Sequence, residues 1–228
     1  MWWAVPAEAR GWHAALLAPD ELQRRERLLR PADRHRMTVA YALARLVLGA
    51  HLGTDPEGIR FERTCLHCAG PHGKPQITGS EVRFSLSHSG DRVAFAVTRG
   101  VEVGVDVEEL RPTLDLDALA DTVLAEKEAS ELAGMATDGK LRAFLTYWTR
   151  KEAVLKATGE GLQVPLNALT VTGPDAPPQL AAWIGRPGTP ARFELHDLTP
   201  GDGYLAALAA LDRPVGHVRE YAGSTLLA

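Results

Sequence analysis

The chain has 228 residues, 45% hydrophobic and 24% charged, which is the composition of one folded domain or two small ones and excludes a disordered or low-complexity chain. Twenty-five basic against 29 acidic residues give a net charge of -4, the wrong sign for general electrostatic binding to nucleic acid. The longest apolar stretch, 41–53, is interrupted by Arg45 and falls short of the roughly 20 residues that span a bilayer. The first ten residues lack a basic region followed by an apolar run, so a cytoplasmic monomer with reduced cysteines is expected, with neither nucleic acid nor membrane as partner.

In chain order, residues 21–36 carry six arginines (Arg24, Arg25, Arg27, Arg30, Arg34 and Arg36) against three acids, either a solvated helix face or a local phosphate partner. A helix through 45–49 follows, and then a loop to 59–61. Cys65-x-x-Cys68 with His67 and His72 could hold zinc, but no second Cys-x-x-Cys exists, and reduced thiols on a surface loop are the favoured reading. Gly73-Lys74-Pro75 sets a lysine in a rigid turn. The alternation of Val82, Phe84, Leu86 and His88, the turn Ser89-Gly90-Asp91 and the return through Val93, Phe95 and Val97 predict a β-hairpin.

A strand over 101–108 and a helical stretch over 114–132 come next. The latter carries Leu116, Leu119, Val123 and Leu124 at helical spacing, for packing in its own half or for a partner helix. A long helix is expected over 141–158, then a proline-rich surface connection over 174–190, a second hairpin over 192–209 and a tail over 215–228. The second hairpin repeats the first: Arg192-Phe193-Glu194-Leu195 followed by Gly201-Asp202 echoes Arg83-Phe84-Ser85-Leu86 followed by Gly90-Asp91. The fold class expected is α+β, two similar halves at 1–100 and 101–228, each a long helix packed on a small antiparallel sheet.

Asp106 and Glu108, two apart on a strand, project from one face and can address one ion, although a solvated acidic face has the same pattern. In the helix over 141–158, the stripe Leu141, Phe144, Leu145, Trp148 and Leu155 predicts an apolar residue near 151 or 152, where Glu152 stands. A carboxylate beside a buried stripe needs neutralising, by Lys156 one turn later or by a divalent cation shared with Asp106 and Glu108. Hard oxygen ligands select magnesium, which completes its shell with water and substrate phosphates. His88 reads equally as a rim histidine or a ligand contact, and Lys74 as a turn residue or a phosphate partner.

Gly73-Lys74-Pro75, Phe84-Ser85-Leu86-Ser87-His88-Ser89-Gly90, Gly104-Val105-Asp106-Val107-Glu108 and the run Trp148 to Lys156 with Gly159-Glu160-Gly161 resemble, in order and spacing, the 4'-phosphopantetheinyl transferases of the surfactin-synthetase-activating type. The resemblance implies a pseudo-dimer with coenzyme A as co-substrate in the cleft between the halves. It also implies transfer of phosphopantetheine to a serine of an apo acyl- or peptidyl-carrier protein, with release of 3',5'-ADP. It assigns magnesium to Asp106, Glu108 and Glu152, coenzyme A contacts to Gly73, Lys74, Pro75, Ser87, His88, Lys151 and Lys156, phosphate contacts to Arg30 and Arg34, and catalysis to Glu152 as base and Lys156 as stabiliser. Two rivals use the same residues: a magnesium-dependent pyrophosphate hydrolase, and a non-catalytic module that binds carrier proteins.

Overall fold

Strand β1 (Trp2–Ala4) opens the chain and is followed by helices α1 (Pro19–Glu26) and α2 (Pro31–Leu52) and the hairpin β2 (Val82–Ser89) and β3 (Arg92–Arg99). Strand β4 (Glu102–Glu109), helices α3 (Leu116–Val123), α4 (Glu126–Ala133) and α5 (Thr137–Thr158), the pair β5 (Leu169–Val171) and β6 (Leu180–Trp183), and the hairpin β7 (Phe193–Asp197) and β8 (Tyr204–Leu211) repeat that order of strand, long helix and hairpin. Strand β9 (Tyr221–Ala222) and helix α6 (Ser224–Leu227) end the chain. The computed structural model describes residues 1–65 and 67–228; Leu66, within the Cys-x-x-Cys segment, lies outside the described residues.

The repetition is physical as well as sequential. Helices α2 and α5 both have 22 residues, and each stops at a glycine in the left-handed conformation, Gly53 (φ 64°) and Gly159 (φ 79°), whose N–H caps the last turn. In each half the strand before the helix pairs antiparallel with the second hairpin strand, β1 with β3 and β4 with β8. The helix covers one face of that sheet. Leu43 and Leu48 of α2 share a core with Phe84 and Phe95 of the hairpin, and Phe144, Tyr147 and Leu155 of α5 share one with Leu169. The fold is therefore α+β with two similar halves.

Between the halves lies a third apolar cluster, in which Val103, Val105 and Val107 of β4 meet Ala94 and Ala96 of β3 and Leu208 of β8. Strand β4 is an edge of its sheet and would present unpaired N–H groups to β2, which belongs to the other sheet. Three serines on β2 serve as substitute carbonyls: Val105 N–H donates to Ser85 Oγ (3.0 Å), Val107 N–H to Ser87 Oγ (3.4 Å) and Glu109 N–H to Ser89 Oγ (3.2 Å).

Two expectations are corrected, and one alternative is decided. The stretch 114–132 is not one helix, because Leu124 and Ala125 are buried in extended conformation and the Glu128 carboxylate accepts the Ala125 N–H (2.8 Å), starting α4 afresh. Val123 and Leu124 thereby enter the core of their own half, with Leu116 and Leu119 packed against it, so this stripe is not free for a partner helix. The segment read as a tail crosses back to the first half. Strand β9 runs parallel to β1, and Leu227, 1% exposed, joins the core beneath α2.

One glycine sets how closely the second helix approaches. A Cβ on Gly104 of β4 would lie 2.0 Å from Ala153 O and 2.4 Å from Ala157 N, so the α5 backbone rests directly on β4. Gly104→Ala is expected to push α5 outward and cost about 3 kcal/mol or more, read as a lower urea midpoint. An unchanged midpoint would contradict this packing.

Candidate active site

The cleft between the halves holds a cavity of about 380 Å³, lined by Ser87 and His88 of β2, Asp106 and Glu108 of β4, Trp148, Glu152 and Lys156 of α5, and Tyr41 of α2. Strand alternation brings Asp106 and Glu108 to one side, and the i, i+4 spacing brings Glu152 and Lys156 to the facing side. A neighbouring cavity of about 460 Å³ shares Tyr41, Leu86 and Lys156 and is walled by Gly73, Lys74 and Pro75.

Asp106 is the most enclosed of the three cleft acids, 3% exposed. Its Oδ1 accepts from Lys156 Nζ (2.6 Å) and Ser87 Oγ (2.8 Å), whereas Oδ2 is buried without a hydrogen-bond partner. Glu108 accepts from Ser89 Oγ (2.7 Å). Burial first, and the negative charge of Asp106 second, push the Glu108 and Glu152 carboxyls above the usual range, against the opposing pull of Lys156. His88 is held below the usual imidazole range by desolvation and then by the charge of Arg36.

Three carboxylates facing one ammonium, with an orphaned buried oxygen among them, suit a hard divalent cation. As they stand they do not form a closed chelate. Among the described residues the only group of three such ligand atoms lying within 4.8 Å of one another is Cys65, Cys68 and His72, in the loop before Gly73.

Other predicted site residues take different places. Lys74 lines the larger cavity, but its Nζ donates to Glu102 Oε2 (2.7 Å), Val103 O (3.0 Å) and Ala157 O (3.0 Å), so it ties the Gly73–Pro75 wall to β4 and the last turn of α5. Lys151, expected against coenzyme A, is corrected: it is fully buried on the far side of α5, with its ammonium on Glu128 and Val123 O. Arg30 and Arg34 are absent from the linings of both cavities; Arg34 instead closes the turn between α1 and α2 by donating to Leu28 O (2.8 Å).

Besides Lys156 and Lys74, arginines other than Arg30 and Arg34 stand near the cleft. Arg24, Arg27 and Arg63 line a further cavity of about 380 Å³ that shares Arg63 with the larger one. Arg63 and Arg24 both donate to Tyr41 Oη, at 2.7 and 3.4 Å. Asp20, Gln23, Arg24 and Arg27 follow the i, i+3, i+4, i+7 pattern of one helix face, a signal legible in the sequence. No local signal marks Arg63, which arrives through the bridge between Glu62 and Gln76.

A sequence profile described as the 4'-phosphopantetheinyl transferase superfamily matches residues 102–209, from the start of β4 into β8. The chain is 36% identical over 203 residues to the 4'-phosphopantetheinyl transferase HetI of Nostoc sp. (strain PCC 7120), an alignment covering 86% of this chain and 79% of that protein. It is 29% identical over 159 residues to a 4'-phosphopantetheinyl transferase of Bacillus subtilis, covering 69% and 66%. To the 4'-phosphopantetheinyl transferase Sfp of Bacillus subtilis (strain 168) it is 26% identical over 202 residues, covering 88% and 85%.

The raised carboxyls make a pH-dependent contribution to stability. A glutamate whose native pKa lies above its unfolded value adds stability that is fully present below the unfolded pKa and is lost as pH rises through the native one. In EDTA, the Tm of the wild type relative to Glu152→Gln is therefore expected to fall between mildly acidic and neutral pH. A Tm difference that stays constant over that range would show that Glu152 is not strained by burial.

Proposed function

Because this chain belongs to the 4'-phosphopantetheinyl transferase superfamily, we propose that it moves the 4'-phosphopantetheine group of coenzyme A to a serine of an apo acyl- or peptidyl-carrier protein and releases 3',5'-ADP. The observation that carries this reading is the cleft itself. Asp106, Glu108 and Glu152 converge at one end with Lys156 between two cavities, and Arg24, Arg27 and Arg63 lie at the other. Phosphates at two places along one ligand would meet metal-binding acids at one end and guanidinium groups at the other. The similarity to Sfp along both halves supports the surfactin-synthetase-activating type, with halves divided near residue 100 and each lining one side of the cleft.

Asp106, Glu108 and Glu152 are the residues that would hold magnesium. When bound, that ion supplies charge neutralisation on the pyrophosphate. Serine Oγ bonds to the β-phosphorus as the bond from that phosphorus to the oxygen of 3',5'-ADP breaks, and the serine proton passes to Glu152. A glutamate with a raised pKa suits that role at neutral pH. Lys156, already within reach of Asp106 and Ser87, offsets charge building on the departing phosphate. Ser87 orients Asp106, His88 is held largely neutral as a hydrogen-bond partner for the ligand, and the Gly73–Pro75 wall shapes the larger cavity.

Incubation with coenzyme A, magnesium and a panel of apo-carrier proteins, followed by intact mass, tests the reading. The carrier is expected to gain one phosphopantetheine. Coenzyme A consumed equally fast without any carrier would instead establish the hydrolase. Asp106→Ala, Glu152→Gln and Lys156→Ala are each expected to lower kcat by about 100-fold or more. Full turnover by Asp106→Ala would remove the metal assignment.

Arg24→Ala and Arg63→Ala probe the other end of the cleft. Both are expected to raise the KM for coenzyme A more than that for dephospho-coenzyme A, because a lost guanidinium matters most where a phosphate faces it. Equal changes for the two substrates would show that these arginines do not read the 3'-phosphate.

A further inference from the structure

The loop between α2 and β2 carries a cluster that the proposed transfer does not use. Glu62 and Gln76 exchange backbone hydrogen bonds (2.9 and 2.8 Å), and Gly73 N–H donates to Arg63 O (2.7 Å), so the segment between them is a closed loop. At its tip Cys65 N–H donates to Gly70 O (2.9 Å) and Ala69 N–H to Cys65 O (3.0 Å). Within this turn a ligand atom from each of Cys65, Cys68 and His72 lies within 4.8 Å of the other two, and Cys68 Sγ stands 3.0 Å from His72 Nε2.

The backbone is arranged around those three atoms. Ala69, directly after the second cysteine, sits at φ 56° in the left-handed region, which is strained for a residue with a Cβ. A Cβ on Gly70 would lie 3.2 Å from His72 Nε2 and 3.3 Å from Cys68 Sγ, so a side chain there would press on both ligand side chains. Cys68 and His72 are exposed and the thiols are not joined in a disulfide, so neither apolar packing nor a covalent bridge accounts for the convergence.

We propose that Cys65, Cys68 and His72 bind a zinc ion. Thiolate and imidazole donors select zinc over the hard cation suited to the carboxylates of the cleft. A tetrahedral zinc with bonds of roughly 2.0–2.3 Å keeps its ligand atoms roughly 3.5–3.8 Å apart. Cys68 and His72, 3.0 Å apart, would open slightly to meet that spacing, and Cys65 lies within 4.8 Å of both. On binding, each thiol gives its proton to solvent, and water on the exposed side takes the fourth position. Cys65 and His72 also line the larger cavity beside Gly73 and Lys74, so the ion would fix the wall of the cleft as well as the loop.

The test is made on the full chain, reduced and passed through a desalting column after incubation with excess zinc. Elemental analysis is expected to give about one zinc per chain. Cobalt in place of zinc should produce the visible bands of a tetrahedral site together with thiolate-to-cobalt charge transfer. Cys68→Ser and His72→Ala should each retain at least about tenfold less metal. A wild-type chain without zinc, a cobalt adduct lacking thiolate charge transfer, or variants that keep a full equivalent would overturn the proposal. The cobalt spectrum requires no variant to fold. None of these readouts depends on transferase activity, so the zinc site and the proposed reaction stand or fall separately.

Discussion

Strands β2 and β4 belong to different sheets, and their facing edges are joined through the hydroxyls of Ser85, Ser87 and Ser89. Each hydroxyl accepts a β4 N–H that would otherwise be buried without a partner, an omission costing about 1–3 kcal/mol per group. Because an O–H also donates, Ser87 and Ser89 go on to hold Asp106 and Glu108. The contacts that close the seam between the halves therefore also aim the acids into the cleft. A backbone carbonyl in the same place could accept the N–H but could not orient a carboxylate.

The opposite wall comes from α5, whose charged residues divide between two tasks. Arg150 grips Asp197 through two hydrogen bonds (2.9 and 2.6 Å), and Lys151 meets Glu128 in the interior, so two buried cations fix the helix against β7 and α4. The Lys151–Glu128 pair, buried on both sides, adds little net stability, but losing one partner strands the other, whereas Asp197 is half-exposed; both contacts hold the helix in a single register. Glu152 and Lys156, on the other side, face the cleft at positions set by that register and by the contact of α5 with Gly104. Lys74 acts similarly at the helix end, joining the wall of the larger cavity to the last turn of α5.

Charge is segregated along the cleft. Burial and mutual repulsion leave the carboxylates short of cations at one end, while arginines clustered around Tyr41 supply them at the other. An overall charge of -4 hides this separation, because neither end is visible in the sum. In the proposed reaction the two ends address different phosphates of one substrate, which sets its direction in the cleft before the carrier serine arrives.

Patterns of period two and period four were readable from the residues alone. They include both hairpins, the shared face of Asp106 and Glu108, the placement of Glu152 and Lys156 on one side of their helix, and the repeated order of helix and hairpin, because each depends only on neighbours a few positions apart. Contacts between distant segments were not. The burial of Lys151 depends on Glu128, that of Lys74 on Glu102 and Ala157, and the gathering of Arg24 and Arg63 on where Tyr41 stands. A lysine in a charged motif has the same local pattern whether it faces a ligand or an internal carboxylate. Only packing decides which it faces, because burial is a property of the assembled halves and not of the segment.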